Sequence, residues 1–225
     1  MLDGVIWYIK ADLKNGFRQF GTHPADWRFQ VYCNGEDEHY IDMACPFGKT
    51  NSTLEFCPPV KLFTMSIPVR WQELNGGTRP MLSSYVDDIY GGIPGCTVYE
   101  EAVGLREFIC ETGKRLTFVF NKKPHKTPLP AKQQVILGCL YDSVAKRMMS
   151  SAEKVFKYVT RIDAILASET VQVLDLMSLH GNLCFAANVA PFGKPFLAAI
   201  SCLMAGRHRY DTVRLNDMSE MGLRI

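Results

Sequence analysis

Ser83-Ser84-Tyr85-Val86-Asp87-Asp88-Ile89-Tyr90-Gly91-Gly92 sets two adjacent carboxylates between two short β-prone runs. Tyr, Val and Ile favour strands, and an acidic pair followed closely by Gly-Gly favours a tight reversal, so the stretch predicts a β-hairpin with Asp87 and Asp88 at its tip. Neighbouring carboxylates repel, and a divalent cation between them is the simplest reason to keep them together. A solvated turn is the plainer reading. Composition alone would produce a Tyr-x-Asp-Asp tetrapeptide in about one chain of this length in fifty to a hundred, so the weight rests on what accompanies it.

A third carboxylate accompanies it. Val5-Ile6-Trp7-Tyr8 reads as a strand, and the following Ile9-Lys10-Ala11-Asp12-Leu13-Lys14-Asn15-Gly16-Phe17-Arg18-Gln19 places Asp12 where that strand gives way to an aromatic-bearing turn or helix. Asp12 through Gln19 resembles the first palm motif of reverse transcriptases, Pro46-Phe47-Gly48 the second and Tyr85-Val86-Asp87-Asp88 the third, in the same order and spacing. Lys126-Thr127 and Ile136-Leu137-Gly138 resemble the fourth and fifth. Leu179-His180-Gly181-Asn182-Leu183-Cys184-Phe185-Ala186 and Pro191-Phe192-Gly193-Lys194-Pro195-Phe196-Leu197 are similar to the helical segment after the palm in LTR-type retrotransposon polymerases, especially the tyrosine-recombinase (DIRS-like) group. The likeness runs from about Trp7 to about Leu203.

Composition sets the bounds of that reading. With 225 residues, 47% hydrophobic and 21% charged, the chain can bury a core as one large domain or two small ones. No run of about twenty apolar residues could span a bilayer, and the N-terminus has no secretory pattern, so a soluble intracellular protein without a membrane partner is expected. The 8 cysteines include no Cys-x-x-Cys pair and no histidine at zinc-ligand spacing, which points to free thiols. A formal charge of +2 is too small to argue for nucleic acid. Its distribution says more. Lys114, Arg115, Lys122, Lys123, Lys126 and Lys132 fall between Thr112 and Tyr141 with no acidic residue among them, which suits a phosphate backbone, although such runs are often only solvated faces.

Patterning predicts a strand from about Gly4 to Asp12, a short helix over Asn15 to Phe20, and a hairpin of Trp27–Tyr32 with His39–Met43 around Asn34-Gly35. Asn51 or Ser52 should cap a helix reaching about Met65, kinked or broken at Pro58-Pro59. A helix over Val98 to Cys110 should stop at Gly113, and strands are expected at Leu116–Phe120 and Val135–Leu140. Ala152–Leu166, Val171–Val189 and Phe196–Met204 read as helices. The fold class is α+β. The resemblance makes residues 1–150 a polymerase palm, a ferredoxin-like antiparallel sheet with helices on one face, and residues 151–225 a helical thumb-like region.

What the resemblance implies for chemistry is two-metal nucleotidyl transfer, in which a primer 3′-hydroxyl attacks the α-phosphate of a dNTP on an RNA or DNA template. Asp12 and Asp87 would be the bridging ligands of two Mg²⁺ or Mn²⁺ ions, with Asp88 beside them. Leu13, Phe17, Phe47 and Gly48 would meet the nucleotide, Phe17 as an aromatic gate against the sugar 2′-substituent or, alternatively, as simple core packing. Lys126 would protonate the pyrophosphate, with Lys122 and Lys123 competing for that role. Leu137, Gly138 and Cys139 would grip the DNA primer. Only eleven residues precede Asp12 and no RNase H-like acidic set follows Met204, so a fragment lacking fingers, with weak or no activity alone, is expected. The alternatives are a non-catalytic, domesticated or degenerate remnant that binds nucleic acid, and an interaction module with an accidental acidic turn.

Overall fold

The computed structural model describes residues 5–35, 37–49, 51–190 and 192–215. Gly4, the expected start of the leading strand, and Pro191 lie outside them. By contacts the chain divides into two units: residues 1–136 with 142–146, and residues 137–141 with 147–225. Among the described residues no helix is long and apolar enough to cross a membrane.

The first unit is built on a three-stranded antiparallel sheet in the order β1 (Trp7–Asp12), β5 (Asp88–Ile93), β4 (Met81–Tyr85). The register runs from Trp7↔Ile93 to Asp12↔Asp88. Because strand side chains alternate, Ile9, Ala11, Ile89 and Ile93 share one face, and Lys10, Asp12, Asp88 and Tyr90 share the other. The apolar face is covered by α1 (Ser52–Asn75) and α2 (Tyr99–Arg115), which contribute Phe56, Val60, Phe63, Ile67, Trp71, Leu105 and Ile109 to the same buried cluster. The α+β class expected from the sequence is the one observed.

Helix α1 runs unbroken through Pro58, Pro59 and Pro68 to Gly76, whose φ of +68° ends it ten residues beyond the expected Met65. Each interior proline costs about 3 kcal/mol, whereas each fully buried large apolar side chain gains about 1.5–3 kcal/mol. Phe56, Val60, Phe63, Ile67 and Trp71, all buried, therefore offset the prolines. The carbonyls that Pro58 and Pro59 leave without helical donors belong to Leu54 and Glu55, on the exposed side where water can bond them.

Three local expectations are corrected. Trp27–Phe29 is not extended, because Pro24 opens a 3₁₀ helix over Pro24–Phe29 that His23 caps by accepting the Ala25 N–H at 3.2 Å. Only β2 (Val31–Cys33) and β3 (His39–Ile41) remain of that hairpin. Gly113 does not stop α2. It lies inside the helix, where the Phe120 ring occupies the space a Cβ would need, 2.4 Å from Cε2. The stop is Thr117 at φ +66°: Thr117 N–H donates to Lys114 O and Phe118 N–H to Gly113 O, the two bonds of a Schellman cap. That cap turns Leu116–Phe120 into an irregular strap instead of a strand.

The second unit holds β7 (Cys139–Asp142) as far as Tyr141 with its neighbour β8 (Arg147–Ser150), the helices α3 (Ala152–Leu166), α4 (Val173–Ala186) and α5 (Gly193–Met204), and the antiparallel pair β9 (Thr170–Gln172) and β10 (Thr212–Arg214). β6 (Gln133–Ile136) closes the first unit. β9 takes Val171 and Gln172 from the segment expected to be continuous helix, and Val213 pairs with Val171 in a small aliphatic core with Val173, Leu176 and Leu203.

Candidate active site

The Tyr85↔Asp88 pair closes a two-residue turn made of Val86 and Asp87. Val86 sits at φ +53°. A two-residue hairpin needs a positive φ, which glycine adopts freely and a β-branched residue does not, so strain is stored beside the carboxylates. Asp12 ends β1 opposite Asp88, and Leu13 N–H donates to Asp87 O at 2.9 Å, tying the end of β1 to the turn. Gly16 follows in a 3₁₀ turn over Gly16–Gln19. A Cβ there would lie 2.9 Å from the Asp87 Cβ and 2.8 Å from the Phe56 ring, so only glycine lets the chain pass.

The three carboxylates have different surroundings. Asp12 is buried and well partnered: Lys126 Nζ lies 3.1 Å from Oδ1, Asn121 Nδ2 donates to Oδ2 at 3.3 Å, and its N–H donates to Thr127 Oγ1. Asp88 has a buried Oδ1 that accepts no hydrogen bond among the described residues and whose cation, Lys10 Nζ, stands off at 3.6 Å. Asp87 is raised above the usual carboxylate range, first by burial and then by the charges of Asp12 and Asp88, with Lys126 pulling the other way. Lys126 is itself raised by its hydrogen bond and attraction to Asp12. This oxygen-only, mutually repelling set with one orphaned carboxylate oxygen suits a hard divalent cation in kind. Among the described residues, however, no group of three or more ligating side chains is drawn together as a preformed cage. Two lysine ammoniums supply the countercharge.

Of the competing lysines, Lys126 alone is placed on Asp12, while Lys123 directs its N–H to Asn121 Oδ1 and Lys122 lines a separate cavity. Phe17 is buried in the core cluster, its ring 4.7 Å from that of Phe47 and 4.6 Å from that of Phe56. Leu13 is also buried, whereas Phe47 and Gly48 are exposed, Gly48 at φ +86°. Leu137 and Gly138, at φ +49° and +77°, have the dihedral signs of a type I′ turn and belong with Cys139 to the second unit. There Lys154 Nζ occupies the space of a Gly138 Cβ and lies 3.7 Å from the Phe185 ring centroid.

Sequence reasoning missed Lys10, Asn121 and Thr127 as partners of the acidic set. Strand alternation offered one signal, since Lys10 shares the face of Asp12. Gln19 was missed as a clamp: its amide donates to Lys14 O and Val119 O and accepts from Val119 N–H, fastening the strap to the first turn.

No protein-family model matches the sequence, and neither does any curated protein. Solved structures do. A foamy viral protease-reverse transcriptase, dRH, in complex with double-stranded DNA superposes with a TM-score of 0.72 at 19% identity, over 97% of this chain and 35% of that one. A foamy viral protease-reverse transcriptase in complex with an RNA/DNA hybrid gives 0.70 at 20% identity, over 97% and 27%. The fold is reverse-transcriptase-like. The chain spans about a third of the length of these solved chains.

Proposed function

We propose that the chain is the palm, residues 1–150, and helical thumb-like part, residues 151–225, of an RNA-directed DNA polymerase of the LTR-type or DIRS-like retrotransposon kind. The observation that carries this reading is the meeting of Asp12 with Asp87-Asp88, through the Asp12↔Asp88 register and the Leu13-to-Asp87 hydrogen bond, beside a strained Val86. In it, Asp12, Asp87 and Asp88 hold two Mg²⁺ or Mn²⁺ ions, which when bound stabilise charge on the attacking and leaving oxygens of an in-line displacement. Lys126, already held over the site, gives a proton to the departing pyrophosphate. Phe17, buttressed by Phe56, sets the wall that a ribose 2′-hydroxyl would strike, with Phe47 and Gly48 lining the nucleotide. Leu13, buried in the core cluster, supports the site from behind instead of touching the nucleotide as expected. Leu137, Gly138 and Cys139 bear on the primer.

A second reading has its own support. Lys126 and Lys10 already balance two of the carboxylates, and no three-ligand cage is preformed among the described residues, which suits a remnant that binds nucleic acid without turnover. Metal titration separates the two. The polymerase reading expects saturable Mg²⁺ or Mn²⁺ binding, and any primer extension on an RNA template, to be lost in Asp87→Ala. The remnant reading expects salt-sensitive duplex binding that Asp87→Ala leaves intact and no metal-dependent extension.

A further inference from the structure

The strap that replaces the expected strand at Leu116–Phe120 forms one wall of a cavity of about 520 Å³ against α2. That volume lies within the roughly 300–1,000 Å³ that small-molecule sites occupy. Phe118 and Phe120 give it an aromatic wall, and Cys110 lines it from α2. Three cations face it, Arg106, Lys114 and Lys122, against the single carboxylate of Glu111 among the lining residues. The Arg106 guanidinium is fixed in place, donating Nε to Pro128 O and Nη2 to Thr127 O, both at 2.9 Å. Among the described residues Lys114 and Lys122 form no ion pair.

An apolar aromatic wall calls for a flat hydrophobic body, and two uncommitted ammoniums beside a fixed guanidinium call for an anionic group at its edge. We propose that this cavity binds a small planar anion, an aryl or heteroaryl phosphate of about mononucleotide size, with its ring system against Phe118 and Phe120 and its anionic group on Lys114 and Lys122. Asn121 and Thr127, the residues that hold Asp12, also line the cavity, so a ligand here touches the supports of the acidic set without touching the set itself.

The probe is 1-naphthyl phosphate, titrated calorimetrically into the full chain, with inorganic phosphate and neutral 2-naphthalenemethanol as the two half-ligands. Saturable one-to-one binding is expected, stronger than that of either half-ligand. Loss of two exposed charge contacts in Lys114→Met/Lys122→Met should weaken it about tenfold. A second readout does not depend on a variant. Burial raises the Cys110 thiol, so its alkylation by iodoacetamide is slow, and bound probe should slow it further at Cys110 specifically, as followed by peptide mass spectrometry. Equal affinity for the neutral analogue, unchanged affinity in the double variant, or Cys110 alkylation indifferent to the probe would each overturn the proposal. None of these measurements involves metal, template or nucleotide addition, so failure here leaves the polymerase reading standing, and the reverse.

Discussion

The hairpin of β4 and β5 and the hairpin of β2 and β3 are written in similar residues and rest on different ground. Both carry aromatic and β-branched residues around an acidic or Asn-Gly turn. In the first, β5 is fused to β1 along its whole length, Ile89 and Ile93 are buried, and Gly91 and Gly92 are packed so closely that a Cβ would fall 1.9 Å from Met81 O and 2.4 Å from Trp7 O. In the second, all six strand residues are exposed, and the ladder is supported by a Tyr32–Tyr40 stack at 5.6 Å and by an Arg18–Asp42 ion pair at its base. A two-stranded hairpin is marginal unless something lies beneath it. The difference teaches that hairpin formation and hairpin rigidity are separate properties, and that the adjacent pair Asp87 and Asp88 belongs to the rigid one.

Four measurements press on that contrast. Gly92→Ala should cost about 3 kcal/mol in chemical denaturation, because the clash is with the backbone of a paired strand that cannot step aside. A cost below that of ordinary surface substitutions would mean that β1 and β5 are loosely joined. Lys126→Met should cost about 1.5 kcal/mol, the worth of one hydrogen bond to a charged and buried partner, since Asp12 keeps Asn121. An unchanged urea midpoint would show that Asp12 finds its countercharge elsewhere.

Asp87→Asn should act in the opposite direction and more weakly. A carboxyl raised in the folded state favours the native protein at low pH and loses that contribution as pH rises through its folded value, so at pH 7 the ionised Asp87 is a burden. The variant should therefore be the more stable protein at pH 7, with its advantage shrinking as pH falls through the carboxylate range. An advantage that grew on acidification would reverse the assignment. Tyr32→Ala should do least, a few tenths of a kcal/mol, because an exposed cross-strand pair is all that is lost. If it matched Gly92→Ala, the contrast between the hairpins would collapse.

Much of the sheet was legible in the sequence, because its signals are local. The β-prone run Val5-Ile6-Trp7-Tyr8 gave β1, and helical spacing gave the greater part of α2 and all of α3. The acidic pair between β-formers gave the hairpin, although its turn falls at Val86-Asp87, one residue before the expected Asp87-Asp88 tip. What escaped was decided by neighbours distant in sequence. The prolines of α1 are tolerated because of what Phe56, Phe63 and Trp71 bury, and Gly113 is a packing glycine only because Phe120 returns to cover it. Thr117 is an uncommon residue for a left-handed cap, and nothing in its neighbours announces one. For the candidate site, motif reading located the three carboxylates and Lys126. It missed Asn121, Thr127 and Lys10, whose relation to the acidic set exists only once the strap and the β1 register are in place.

Gly16 has a further consequence, for how such a sequence can drift. Its missing side chain is demanded twice over, by Asp87 on one side and by the Phe56 ring on the other. A lineage that abandoned metal chemistry could replace Asp87 at little structural cost, yet it could not thereby free Gly16, because the ring would still be there. The glycine should thus outlast the aspartate under relaxed selection. Its presence in a related sequence would testify to the packing of α1 beneath the turn, while testimony about catalysis would have to come from position 87.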